Sequence, residues 1–250
     1  MNPTERFTDR ADDYVSGRPS YPVEAIDALF ADLGDPAALT VVDIGAGTGI
    51  SSRLLADRGA AVFAIEPNAS MRERATAHDR VSWLAGTAEH TGLPDGAADL
   101  VVAFQAFHWF RYDEALHEMH RIVRSDGRVA LVYNERSPEN AFTRGYDAIV
   151  QRYATDRTEP QRHDGRVVFE HFTGWSSVKV HEFANTQRLT RAGVFARAGS
   201  TSYLPRDGEA GESLRRELAE VFDACAIDDT VDMQMKTIVS IATPISRVVV

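Results

Sequence analysis

From Pro22 to about residue 134 the apolar positions alternate between two rhythms. "PVEAIDALFADLG" places Ile26, Leu29, Phe30 and Leu33 on one helical face, with Pro22 at the start and Gly34 just past the end. "LTVVDI" reads as a buried strand, and a helix over about 48–58 follows, carrying Ile50, Leu54 and Leu55 and stopping at Gly59. "AVFAIE" predicts a second strand, after which Asn68 caps a helix running to about residue 78. "VSWLA", "DLVVAFQ" and "GRVALVYN" predict three more strands, the last two separated by a helix containing Leu116, Met119, Ile122 and Val123. Apolar strands alternating with amphipathic helices predict βαβ units, and so a parallel sheet covered on both faces.

Beyond residue 134 the pattern loosens. A helix is expected over about 140–154, and the polar run "ATDRTEPQRHDGR" after it reads as a mobile loop. "SVKVHEF" predicts a strand, residues near 190–199 and 209–226 helices, and "QMKTIVSIA" a last strand. The tail "PISRVVV" fits either a short edge strand or packing elsewhere. No repeat stands out, and 250 residues suit a single α/β domain.

Composition narrows the partners. Apolar residues at 44% and charged residues at 26% are the balance of a globular chain with a full core. A net charge of −10, with Lys179 and Lys236 the only lysines, argues against a sequence-independent grip on nucleic acid or an anionic membrane. No run approaches the ~18 apolar residues of a membrane span, and the start "MNPTERFTDRADDY" lacks a signal peptide's apolar region. Cys225, alone, builds neither an internal disulfide nor a thiolate metal site, and it shares a helical core face with Leu214, Leu218, Val221 and Phe222. His117 and His120 have a metal-capable spacing, but they alternate with Glu114 and Glu118 and read as a solvated face, so no metal is expected. A cytoplasmic protein that uses a cofactor or binds a ligand is the class that survives.

The candidate chemistry begins at "VVDIGAGTGISS". Gly45, Gly47 and Gly49, with Ala46 between the first two, form a strand-to-helix turn that brings backbone close to a ligand. Ile50 stands where the dinucleotide fingerprint has its third glycine, and no Gly-Lys-Ser/Thr follows to make a phosphate loop. Asp43 before the loop would repel a pyrophosphate but suits an ammonium group. Glu66, 17 residues after Gly49 at the end of the second strand, suits the two hydroxyls of a ribose. A ribose, no phosphate and a cationic amino-acid end together describe S-adenosyl-L-methionine.

These residues resemble the class I S-adenosylmethionine-dependent methyltransferases over 41–110, and the group containing trans-aconitate methyltransferase and the quinone-biosynthesis methyltransferases over about 5–135. "EPNASM" is similar to the family's second motif; the resemblance implies that Glu66 and Pro67 border the cofactor and that Met71 packs on its adenine. "TAEHTGLPDGAAD" resembles the next motif, with Thr87 where an aspartate is frequent; it implies a backbone contact from Ala88 to the adenine and a place for Glu89 at the site. "AFQAFHWF" fits the segment after the fourth strand and implies that Gln105 and Ala106 reach the cofactor. "FTDRADDYVSGRPSYP" looks like the family's N-terminal lid. It implies that Tyr14 faces the methyl group, that Arg18 pairs with the cofactor carboxylate or an acidic substrate, and that Tyr21 lies on the substrate side. The implied fold is a Rossmann-like α/β sheet of seven strands, mostly parallel with an antiparallel last strand, and helices on both faces. Within it residues 1–25 form the lid, 26–135 the cofactor-binding half, and 136–250 a variable substrate-side half.

Methyl transfer from a sulfonium is an in-line displacement, so the protein chiefly aligns, excludes water and, where needed, supplies a base. Ligands of open α/β sheets sit beyond the carboxyl ends of the strands. Gln105 to Trp109 and Tyr133 to Glu135 stand there. His108 is a base for a hydroxyl or carbon acid, or else a group that orients the substrate or holds the loop. Trp109, Tyr133 and Asn134 are candidate acceptor contacts. A small-molecule acceptor, methylated at oxygen or carbon and including a carboxylate or hydroxyl, is the reading these features favour. Protein or RNA methylation is the alternative, opposed by the acidic balance and by "AFQAFHW" where an N-P-P-Y-type signature would stand. A protein of this fold that binds the cofactor without catalysis is the other. The oligomeric state is open.

Overall fold

Four buried residues in a row, Val41–Ile44, make up most of the first strand of the chain. The computed structural model describes residues 18–155 and 158–245. Helix α1 (Val23–Phe30) leads into β1 (Thr40–Ile44), α2 (Ile50–Ala56), β2 (Ala61–Ile65), α3 (Ala69–Glu73), β3 (Val81–Leu84) and β4 (Ala98–Phe104). A 3-10 turn at Phe107–Trp109 precedes α4 (Tyr112–Ile122) and β5 (Val123–Arg136). Then come α5 (Ala141–Tyr153), α6 (Thr158–Glu170), β6 (Trp175–Leu189), α7 (Arg191–Gly199), α8 (Gly208–Cys225) and β7 (Val231–Pro244). The strands form one seven-stranded sheet in the order β3-β2-β1-β4-β5-β7-β6. Six strands run parallel and the last antiparallel, as the resemblance implied.

Two compact units divide the described residues. The larger contains Tyr21–Tyr133, Glu159–Phe183 and the residues from Ile238 on; the other contains the residues up to Ser20, Asn134–Thr158 and Ala184–Thr237. In the larger unit the strands alternate their side chains between two cores. Val41, Leu100 and Val102 join Ile26, Leu29 and Leu55 on one face; Val42, Val101 and Ala103 join Leu116, Met119 and Ile122 on the other. Both faces are therefore covered, which is why these strands read as continuous apolar runs. The smaller unit has its own core of Phe142, Tyr146, Leu189, Val194, Leu214, Leu218 and Met233, against which half-buried Cys225 packs.

Three expectations need correction. Val123 begins β5 instead of ending the preceding helix. Helix α3 stops at Glu73, well short of residue 78, because Met71 is its one buried side chain and only the small Ala75 and Ala77 follow, too little apolar surface to anchor another turn. The polar run 154–166 is not a loop through its length: α6 starts at Thr158. Its anchor is Phe169, fully buried and edge-on to Phe107 at 6.3 Å between ring centres, with Gly165 one turn earlier against Phe107 and Tyr112. The Tyr112 hydroxyl donates to Gln161 O at 3.1 Å. The apolar "VVF" lies beyond the polar run, so the run read alone hid the helix. Residues 246–250 of the tail lie outside the described residues. Among the described residues no helix is long and apolar enough to cross a membrane.

If α6 is anchored this way, Phe169→Ala costs about 3–5 kcal/mol, the usual penalty for emptying an aromatic core position. Denaturant unfolding measures it; a loss under about 1 kcal/mol, within the range of surface substitutions, would mean that α6 is not docked.

Candidate active site

The glycine turn is built by contacts that no side chain would allow. Gly45 and Ala46 donate their N–H groups to Ile65 O at 2.8 and 3.1 Å, which fastens the loop to the end of β2. Gly45 has φ +72°, and a Cβ there would sit 2.6 Å from the Ala106 Cβ and 3.1 Å from the Phe110 ring. Gly49 has φ +78°, and its Cβ would sit 2.8 Å from the Trp83 ring. Left-handed backbone and lack of space both demand glycine here.

Two carboxylates flank the turn. Asp43 is fully buried at the end of β1, and its Oδ2 accepts from Ser51 Oγ at 2.7 Å and Ser52 Oγ at 2.6 Å. Its Oδ1 has no hydrogen-bond partner among the described residues, and neither has the buried Thr48 Oγ1 in the loop. Burial pushes the Asp43 carboxyl up to about 6; the two serines work against this and Glu66 adds to it. Glu66 accepts Gly47 N–H at Oε2 and Asn68 N–H at Oε1, both at 2.9 Å. Burial raises its pKa as well, against those bonds and the nearby Arg72. Asn68 in turn caps α3, accepting Met71 N–H at 3.2 Å, and Met71 is buried in the first turn. Pro67 between them is exposed.

The carboxyl end of β4 turns sharply. Gln105 has φ +53°, a left-handed conformation that a non-glycine residue adopts only under constraint. Its N–H donates to Val132 O at 2.9 Å, and the turn delivers Ala106 against Gly45. His108 follows in the 3-10 turn, buried, with its ring centre 4.7 Å from that of Trp109. The Tyr133 hydroxyl is 3.5 Å from His108 Nδ1. Tyr133 is fully buried.

Ala88 lies buried in a tight turn closed by mutual N–H to O bonds between Thr87 and His90 at 3.1 and 3.2 Å. Half-buried Glu89 accepts the Arg111 N–H at 2.9 Å, near the start of α4. Other expected contacts are committed elsewhere. Asn134 Oδ1 accepts from Thr237 Oγ1 at 2.5 Å and Asn185 Nδ2 at 3.1 Å, while its Nδ2 donates to Ser20 O at 3.2 Å. Asn134 thereby fastens Ser20, Asn185 and Thr237 of the smaller unit to one another. Tyr21 packs edge-on to Phe104 at 4.8 Å, on the core of the larger unit. Arg18 donates from Nη2 to Ser200 O at 3.2 Å within the smaller unit. Tyr14 lies outside the described residues.

Residues 42–131 match a methyltransferase domain model. A methyltransferase of Mycobacterium tuberculosis, itself uncharacterized, is 37% identical over 192 residues, covering 76% of this chain and 74% of that one. The chain belongs to the class I methyltransferase family. A ubiquinone/menaquinone biosynthesis C-methyltransferase of Rubrivivax gelatinosus is 35% identical over 91 residues, covering 35% of this chain and 36% of that one. A candidate type II methyltransferase from Anaeromyxobacter dehalogenans shares the fold, with TM-score 0.66 and 22% identity over 90% of this chain and 96% of that one.

One residue of this methyltransferase was misread from sequence. Glu118, expected on a solvated face with His117, is buried. Its Oε1 accepts Thr91 N–H at 2.8 Å and Thr91 Oγ1 at 2.6 Å, and Arg121 binds both its oxygens at 2.7 and 2.8 Å. Helix α4 thereby braces the turn that carries Ala88. Arg121 three residues later was the visible signal, since a buried acid needs such a partner. Burial works to raise the Glu118 pKa, but the bonds from Arg121 and Thr91 outweigh it and hold it at about 2, below the ordinary 4.5. Its stabilisation is thus full above pH 4.5 and lost as pH falls through about 2. Glu118→Gln is expected to cost about 1–3 kcal/mol at neutral pH, to speed hydrogen exchange at the Thr91 N–H, and to lose its deficit in acid. Equal stability at pH 7 would remove the brace.

Proposed function

We propose that this methyltransferase takes its methyl group from S-adenosyl-L-methionine and passes it to a small-molecule acceptor in the cytoplasm. The observation that carries the reading is the buried Asp43 Oδ1 beside the glycine turn, an acceptor with no donor among the described residues. A buried carboxylate oxygen left this way is costly, and an ammonium group in reach of it would offset that cost. Glu66 has one lone pair on each oxygen taken by a backbone N–H, which leaves acceptor capacity for two ribose hydroxyls. Met71 and the backbone of Ala88 would border the adenine, with Gly45, Ala46, Gly47, Gly49, Gln105 and Ala106 lining the rest.

The cofactor supplies a methyl group already activated on a sulfonium, so the chain's own work is alignment and exclusion of water. His108 is buried at the end of β4, and Tyr133 biases its ring tautomer through Nδ1. It serves as base or orienting group for the acceptor, with Trp109 as an apolar wall. The acidic balance of the chain and the local match to a quinone C-methyltransferase support a small acceptor over nucleic acid.

Glu66→Ala is expected to weaken S-adenosylmethionine binding by on the order of 1–3 kcal/mol in calorimetry, from lost charged hydrogen bonds. Unchanged affinity would take Glu66 off the ribose. The Asp43 carboxyl, raised in the fold from 3.8 to about 6, favours the neutral form: the stability it contributes below 3.8 is lost as pH rises through about 6. Ammonium binding has the opposite sign, so cofactor affinity should fall as pH drops below about 6, and Asp43→Asn should flatten that dependence. A variant that keeps the wild-type pH profile would disconnect Asp43 from the ammonium. For His108→Asn, a base role predicts turnover lower by roughly 10²-fold or more with cofactor affinity intact; near-normal turnover leaves only orientation.

A further inference from the structure

A strand alternates its faces, and Asp43, two residues beyond Val41, lies on the face of β1 that α2 covers. Helix α2 turns Ser51, Ser52, Leu55 and Ala56 inward. Leu55 and Ala56 join the apolar core, and the two serines, one turn earlier, meet the carboxylate. Both hydroxyls donate to the same oxygen, Oδ2, at 2.7 Å from Ser51 and 2.6 Å from Ser52. Oδ1 receives no hydrogen bond among the described residues. Glu66 shows the other way to hold a buried carboxylate: Oε1 takes the Asn68 N–H and Oε2 the Gly47 N–H. One donor on each oxygen supports the charge evenly. Two donors on one oxygen and none on the other give the group a direction.

A carboxylate oxygen has two lone pairs. Ser51 and Ser52 fill both on Oδ2, so neither a ligand nor a proton finds room there. Whatever else Asp43 binds must come to Oδ1. A proton and an ammonium N–H therefore need the same atom. Burial pushes the carboxyl up to about 6, with Ser52 and then Ser51 working against the rise and Glu66 adding to it. Other charged groups nearby are turned to backbone: Arg53 of α2 gives Nη1 to Thr48 O, and Arg72 of α3 gives Nη1 to Glu66 O. On the β4 side the register partner of Asp43 is apolar Val102. The two hydroxyls are thus what keeps the carboxylate charged at neutral pH.

We propose that Ser51 and Ser52 are positioning residues for the methyl donor: by filling Oδ2 they present Oδ1 alone to the ammonium group, and cofactor binding expels a proton from that oxygen. A carboxylic acid and an ammonium become a carboxylate–ammonium pair, and the proton leaves to solvent. The inference rests on the S-adenosyl-L-methionine reading of the site.

Two measurements on the full chain test it. The first needs no cofactor: carbon-13 NMR follows the Asp43 carboxyl through a pH titration in wild type, Ser51→Ala and Ser52→Ala. The midpoint is expected near 6 in wild type. It should rise by about one pH unit or more in Ser52→Ala, the scale of one charge-assisted hydrogen bond, and in the same direction in Ser51→Ala. Serines with only a packing role would lower stability and leave the midpoint in place, which overturns the proposal. Where Ser52→Ala does not fold, Ser51→Ala decides. The second is calorimetry of S-adenosylmethionine binding at pH 6 in two buffers of different ionisation heat, which counts the protons released. Wild type should release about half a proton, because the carboxyl is half protonated at its midpoint of about 6. Ser52→Ala should release more and Asp43→Asn none. Release that persists in Asp43→Asn comes from another group such as Glu66 and overturns the proposal, as does binding to wild type without release. A wild type that binds no S-adenosylmethionine refutes the cofactor reading and the proton release with it, while the carboxyl titration still decides whether the serines hold Asp43.

Discussion

Two carboxylates stripped of water at the carboxyl ends of β1 and β2 are the constraint around which the larger unit is arranged. Burial opposes the charge on both Asp43 and Glu66, and each is held by donors drawn from the helix that follows its own strand or from the glycine turn. Ser51 and Ser52 come from the first turn of α2, Asn68 from the cap of α3, and Gly47 from the loop between. A helix N-terminus stabilises a nearby anion through its oriented N–H groups. The strand-turn-helix order therefore positions the charges and partly compensates them. The compensation stops short at Asp43 Oδ1.

Close packing around the turn follows from that arrangement. For the loop to approach both carboxylates, Gly45 must touch Ala106, and Ala106 reaches it only because Gln105 adopts a left-handed backbone. The same bend sets His108 beside Tyr133, so one backbone constraint fixes both the glycine turn and the histidine. Helix α6 closes the sequence of contacts by seating Phe169 and Gly165 against Phe107, the residue before His108. Glu118 plays the matching role for the Ala88 turn. In both places a helix behind the site holds a backbone turn whose own residues are too few to hold themselves.

What the sequence made legible follows the same physics. The parallel strands, Asp43, the glycines and Glu66 are local: each depends on neighbours within a strand-turn-helix unit, and periodicity and spacing report such neighbours. The misread positions depend on residues far along the chain. Glu118 faces Thr91, 27 residues earlier. Helix α6 looked like a loop because its polar half precedes its anchor.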